Sequence, residues 1–170
     1  VHLSDSQDSL REFNAKEKMK GAIFGVEATL RMMYLANCKS NKLKPNTSII
    51  EQLTSATTPL RHLDLRNNYL GAEGVAQLVQ LITAHTEVTA IDLTNALLDD
   101  DQCSKVLVAL VRPTSHVTTL ILDNNPITHA TGRKILSLIQ ARKRLHRVSI
   151  EGTHISDSIK RKIIKQLEYN

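Results

Sequence analysis

One frame, Leu-x-x-Leu-x-Leu-x-x-Asn-x-Leu, recurs along this chain at near-constant spacing and constrains its fold more than any other feature. The clearest copy holds Leu60, Leu63, Leu65, Asn68 and Leu70. A second has Val88, Ile91, Leu93 and Leu98 with Ala96 in the asparagine slot, and a third has Val117, Leu120, Leu122, Asn125 and Ile127. A fourth runs Leu145, Val148, Ile150 and Ile155 with Thr153 in the slot, and reading backward adds Leu30, Met33, Leu35 and Cys38. The copies begin at residues 30, 60, 88, 117 and 145, so the steps are 30, 28, 29 and 28. Fixed-period self-similarity of this kind marks a solenoid, in which no unit buries its own apolar face and stability comes from stacking neighbours.

Apolar residues alternate with outward-facing ones in the first half of each copy, which predicts a short strand there. A helix of three to four turns follows each strand. Val75, Leu78 and Ile82 predict one from about Gly71 to Ala84, and Cys103, Val106, Leu107 and Leu110 predict another that Pro113 stops. Ile135, Leu138 and Ile139 mark a third, and Ile159, Ile163 and Leu167 a fourth. Ahead of them, Ser48 and Glu51 at capping-box spacing predict a helix with Ile49, Ile50 and Leu53 turned inward. Residues 1–29, with Leu10, Phe13 and Met19 at helical spacing, read as an N-terminal helical cap. Residues 30–170 read as the repeat domain, ending in a basic helix. The predicted class is α/β: a right-handed β/α horseshoe of about five repeats of 28–30 residues, with parallel strands on the concave face and helices on the convex one.

The 28–29-residue period, with a helix rather than a short 3₁₀ turn after each strand, resembles the ribonuclease-inhibitor-like class of leucine-rich repeat proteins from about residue 30 to residue 170. The size and the helical N-terminal cap are also similar to the C-terminal leucine-rich repeat domain of tropomodulins. The resemblance implies a non-catalytic binding protein and, on the tropomodulin side, cytoskeletal actin binding. It also implies a ladder of slot side chains bonding turn backbone between neighbours. Asn68, Asn125 and Cys38 fit that ladder, whereas Ala96 and Thr153 are expected to break it.

Chemistry is sparse. The chain has no Walker-A loop, no G-x-G-x-x-G, no H-E-x-x-H and no G-x-S-x-G, so no catalytic residue, cofactor or small-molecule substrate is expected. The seven histidines lack zinc spacing, and no metal site is expected. Asp99, Asp100 and Asp101 lack the spread of oxygens and the glycine turn of a calcium loop, and read instead as helix capping. No run approaches the roughly 20 apolar residues that span a bilayer, so membrane insertion is not expected. Cys38 and Cys103 read as buried thiols in a reducing intracellular compartment. The chain opens without a secretory signal, and Val1 reads as an internal or processed start. The compartment reading is cytoplasmic or cytoskeletal, with the mitochondrial matrix as the alternative.

Two surfaces are candidates for binding. The strand phase that turns Leu63 and Leu65 inward sends Met32, Tyr34, His62, Asp64, Arg66, Asp92, Ile121, Asp123, Arg147 and Glu151 to the concave face. That mixed, mostly acidic face with apolar anchors suits a protein partner. The second surface comes from charge polarity. Residues 59–132 carry four Lys/Arg and eight Asp/Glu, for −4, whereas residues 133–170 carry ten and three, for +7. Arg133, Lys134, Arg142, Lys143, Arg144, Arg147, Lys160, Arg161, Lys162 and Lys165 are expected to form one basic patch able to meet RNA phosphates. The functional expectation is an adaptor or scaffold subunit binding one or more proteins. The alternatives are a component of a ribonucleoprotein particle, such as an organellar ribosome, and tropomodulin-like actin binding.

Overall fold

The structure is a computed structural model, and it describes residues 31–170 apart from 33, 37, 41, 43, 56–59 and 85–86. Four strand–helix units follow a short helix, α1 (Thr47–Ser55). They are β1 (His62–Asp64) with α2 (Gly71–Ala84), β2 (Ala90–Asp92) with α3 (Asp100–Val111), β3 (Thr119–Ile121) with α4 (His129–Ala141), and β4 (Arg147–Ser149) with α5 (Asp157–Glu168). The strands form one parallel sheet in the order β1-β2-β3-β4. Each helix packs on the next, α2 on α3, α3 on α4 and α4 on α5, so the helices make one layer over one face of the sheet. This is a leucine-rich-repeat-like α/β fold.

The core lies between the two layers. Leu63, Leu65, Ile91, Leu93, Leu120 and Leu122 point into it at 0% exposure, as the strand phase predicts. Val75, Leu78, Cys103, Val106, Ile135, Ile139 and Ile163 meet them from the helices. Two bonds beyond each three-residue strand continue the ladder: Leu65 N–H donates to Asp92 C=O and Asn67 N–H to Thr94 C=O, both at 2.9 Å. The same pair recurs one unit on, at Leu93 and Asn95.

The turn that ends each strand requires a left-handed residue. Asn67, Asn95, Asn124 and Gly152 occupy equivalent positions with φ of 57, 54, 55 and 65°. Asparagine is the side chain that tolerates this region best after glycine. At 152 glycine also leaves room for its neighbour, because a Cβ there would sit 2.0 Å from Asn124 Oδ1 and force that side chain to move. The slot residue follows. Asn125, 1% exposed, accepts from Leu98 N–H (2.9 Å) and donates through Nδ2 to the carbonyls of Leu93 (2.8 Å), Leu122 (2.9 Å) and Asp123 (3.2 Å). One side chain thus serves its own turn and the turn holding Ala96, where no slot side chain can contribute. Thr153 keeps only the local bond, donating to Ile150 C=O at 2.7 Å. Asn68 reaches back instead, accepting from Ser48 Oγ at 2.8 Å and donating to Arg66 C=O at 3.1 Å.

The N-terminal side departs from the expected register. The strand predicted to begin near residue 30 is helical at every described residue from 31 to 40. Its apolar positions fit both periods, and Tyr34 and Cys38, four apart, are buried together at 1% and 0%. Composition decides the outcome. The segment is built of Leu, Arg, Met and Ala, which favour helix. Without a strand there, Asp64's outward N–H and C=O on the edge of β1 are taken by Gln52 of α1, at 2.8 and 2.6 Å. The capping residue of α1 is Asn46, whose Oδ1 accepts from Ile49 N–H at 3.2 Å, and not the expected Ser48. The N-terminal cap expected over residues 1–29 lies outside the described residues.

Candidate protein-binding faces

Strand register builds the open face of the sheet in three rows. His62, Ala90, Thr119 and Arg147 form the first, and Asp64, Asp92, Ile121 and Ser149 the second. Arg66, Thr94, Asp123 and Glu151 continue the same register one step past the strands. Eight of the ten residues expected to share this face therefore come together. Met32 and Tyr34 do not. Met32 is exposed on the N-terminal helical segment, and Tyr34 is a core residue whose hydroxyl accepts from Asn46 N–H at 3.0 Å. Burial pushes the Tyr34 hydroxyl well above its ordinary pKa, as befits a structural side chain.

The carboxylates of this face are held rather than free-swinging. Arg66 grips Asp64 with its Nε and Nη2, the shortest contact being 2.7 Å, and that hydrogen bonding lowers the Asp64 pKa. The same Arg66 Nε lies 3.6 Å from Asp92 Oδ2. Asp92, only 7% exposed, accepts from Thr94 N–H (3.0 Å) and Thr94 Oγ1 (2.6 Å). Asp123 reaches across the sheet to Ser149 Oγ (3.0 Å) and Glu151 N–H (2.8 Å). These bonds hold the charges of the face in fixed positions.

The basic residues lie on α4, the turn after it, β4 and α5. Arg133 and Lys134 stand in the first half of α4. There they rim a groove of about 450 Å³ floored by Leu107, Val108, Val111 and Leu138, and Lys134 Nζ donates to Ser104 Oγ at 2.7 Å. Arg142 caps the C-terminal end of α4, about 12 Å along the axis from Lys134 at 1.5 Å per residue, and Lys143 and Arg144 follow in the turn. They line a second cleft, of about 430 Å³, with Pro113 and His116. Arg142 there donates to Ser115 C=O at 2.7 Å, tying adjacent turns together. Arg147 belongs to the open sheet face. Lys160, Arg161, Lys162 and Lys165 line α5.

The three aspartates before α3 have separate duties. Asp99 is the N-cap, in a capping box with Gln102. Asp101 pairs with Lys105 at 2.7 Å. Asp100 crosses to α4, accepting from Thr128 N–H (2.9 Å), Thr128 Oγ1 (2.7 Å) and Thr131 Oγ1. This inter-repeat link, Gln52 and the left-handed asparagines all escape the sequence reading. Only the last left a visible trace, as Asn or Gly directly before the slots at 68, 96, 125 and 153.

A scan against protein-family models finds no match, and neither does a search of curated proteins. Among solved structures, the leiomodin-1 actin-binding site 2 (ABS2) is similar to this chain, with a TM-score of 0.51 and 16% sequence identity. The match covers 74% of this chain and 90% of that one. The likeness is one of fold. No helix among the described residues is long and apolar enough to cross a membrane.

Proposed function

We propose that this chain is a non-enzymatic protein-binding module of cytoskeletal type, engaging its partner through the open, concave face of the sheet. The observation that carries the reading is the fold match to an actin-binding domain over most of both chains. The pre-ordered carboxylates of Asp64, Asp92 and Asp123 around Ile121 give that face a defined charge pattern, which suits a partner surface bearing basic and apolar groups. The period of the repeats favours the ribonuclease-inhibitor-like class within this fold.

Co-sedimentation with actin filaments, and anisotropy against labelled monomeric actin, test the reading. Binding should be measurable and should weaken about tenfold or more in the double variant Asp123→Arg, Glu151→Arg. Absence of binding to either form of actin sinks the actin assignment. Recovery from cell extract that is abolished by nuclease and by charge reversal at Arg142, Arg144, Arg161 and Lys162, but not by the open-face variant, transfers the function to the ribonucleoprotein alternative.

A further inference from the structure

Gln77 of α2 is 3% exposed, yet its side-chain amide has no hydrogen-bond partner among the described residues. Buried polar groups in folded proteins are nearly always paired, so an unpaired amide calls for an explanation. Gln77 lines a cavity of about 240 Å³ whose walls include Lys44, Asn46, Thr47, Leu70 and Glu73. The cavity opens onto the N-terminus of α1, a helix of nine residues. Asn46 serves that end through Ile49 N–H at 3.2 Å and Ile50 N–H at 3.0 Å. The N–H groups of Thr47 and Ser48, the first two of the helix, have no partner among the described residues. A helix start with free N–H groups carries partial positive charge and attracts anions.

Thr47 at the helix start and the buried Gln77 therefore line one space. Leu70 supplies an apolar wall. Glu73 stands at the rim, accepting from Lys44 N–H, and adds a negative charge. That charge disfavours a dianion such as phosphate while the donors still favour a single negative charge. We propose that this cavity is a binding subsite for a singly charged carboxylate on an aliphatic arm, presented by a protein ligand as an acidic side chain or as a chain terminus. One carboxylate oxygen accepts from the Thr47 N–H and the other from Gln77 Nε2, while the arm packs on Leu70. The site lies at the rim between α1 and α2 and is independent of the open sheet face.

The test is a nitrogen–proton correlation titration of the full chain with three probes: N-acetylglutamate N-methylamide, N-acetylglycine and inorganic phosphate. The expected result is a saturable shift of the Thr47 amide and of the Gln77 side-chain NH₂ with at least one carboxylate probe. The responding probe identifies a side chain or a terminus as the source. Gln77→Leu should weaken the response about tenfold while leaving the melting temperature unchanged or higher, since it removes an unpaired polar group without removing a native bond. Gln77→Glu, close in size, should abolish the response by charge repulsion. The proposal is overturned by no shift at these groups up to about 100 mM probe, by phosphate binding as well as carboxylate, or by a lower melting temperature in Gln77→Leu.

Discussion

Replacing Asn125 with Ala tests whether one side chain holds two turns together. The substitution removes four hydrogen bonds, and the losses differ in kind. Leu98 N–H would be left buried with its only acceptor gone, because Ala96 offers nothing in its place. A stranded buried donor costs about 1–3 kcal/mol. Leu93 C=O keeps a longer contact from Ala96 N–H at 3.3 Å, so its loss is partial. The Leu122 and Asp123 carbonyls lose donors at 2.9 and 3.2 Å. Taking about 2 kcal/mol for the donor and a few tenths to one for each of the three carbonyls gives a total of about 3–5 kcal/mol. At this chain length that lowers the melting temperature by roughly 10 °C. Urea denaturation followed by circular dichroism should show the midpoint falling with an unchanged slope. Asn125→Asp should be worse than Asn125→Ala, since it sets a carboxylate against three carbonyl oxygens. Asn68→Ala and Thr153→Ala should each lose only about 1 kcal/mol, with Asn68 the larger because its partners span α1 and the first turn. A loss below about 1 kcal/mol for Asn125→Ala would refute the shared-turn reasoning.

Other outcomes follow from the same contacts. Leu63→Ala or Leu122→Ala should destabilise by about 2–5 kcal/mol in the same denaturation assay, since each fills a fully buried slot. Gly152→Ala should lose about 1–3 kcal/mol, because it combines a left-handed φ with a clash against Asn124, and Asn124→Gly should recover part of that loss. Burial raises the Asp100 pKa, but hydrogen bonds from Thr131 and Thr128 outweigh it and bring the group down to about 2 from 3.8. Its folded value being depressed, the stabilisation is fully present above the unfolded value of 3.8 and fades as pH falls toward 2. Discounted for partial solvent exposure, Asp100→Asn should lose about 1–2 kcal/mol at neutral pH and flatten the acid limb of the melting-temperature profile.

How far the sequence could be read depended on whether a signal was repeated or solitary. Leu63, Ile91, Leu120 and Val148 recur at one register, so strand phase and the facing helices followed directly, including the span Gly71–Ala84. The first frame failed because Leu-x-x-Leu-x-Leu spacings of three and two satisfy a helix as readily as a strand. Its run of helix-favouring Leu, Arg, Met and Ala was the one trace of the outcome. Tyr34 was misplaced as a consequence, moving from a supposed anchor to the core. The open face was recoverable from alternation alone, but the bonds that fix Asp92 and Asp123 were not, since they depend on which neighbour lies across the sheet. Asp100 is harder still. Its three donors sit 28 to 31 residues downstream, and its own neighbours look like an ordinary capping cluster.

Gln52 gives the sheet a feature familiar from polymer chemistry, the chain terminator. Its amide presents one donor and one acceptor to β1, the complement that a further strand would offer, and then stops, because a side chain cannot propagate. A second molecule adding to this edge must first displace Gln52, breaking two short bonds before it makes any. Growth from that end therefore begins with an uphill step, which sets a nucleation barrier against edge-to-edge assembly.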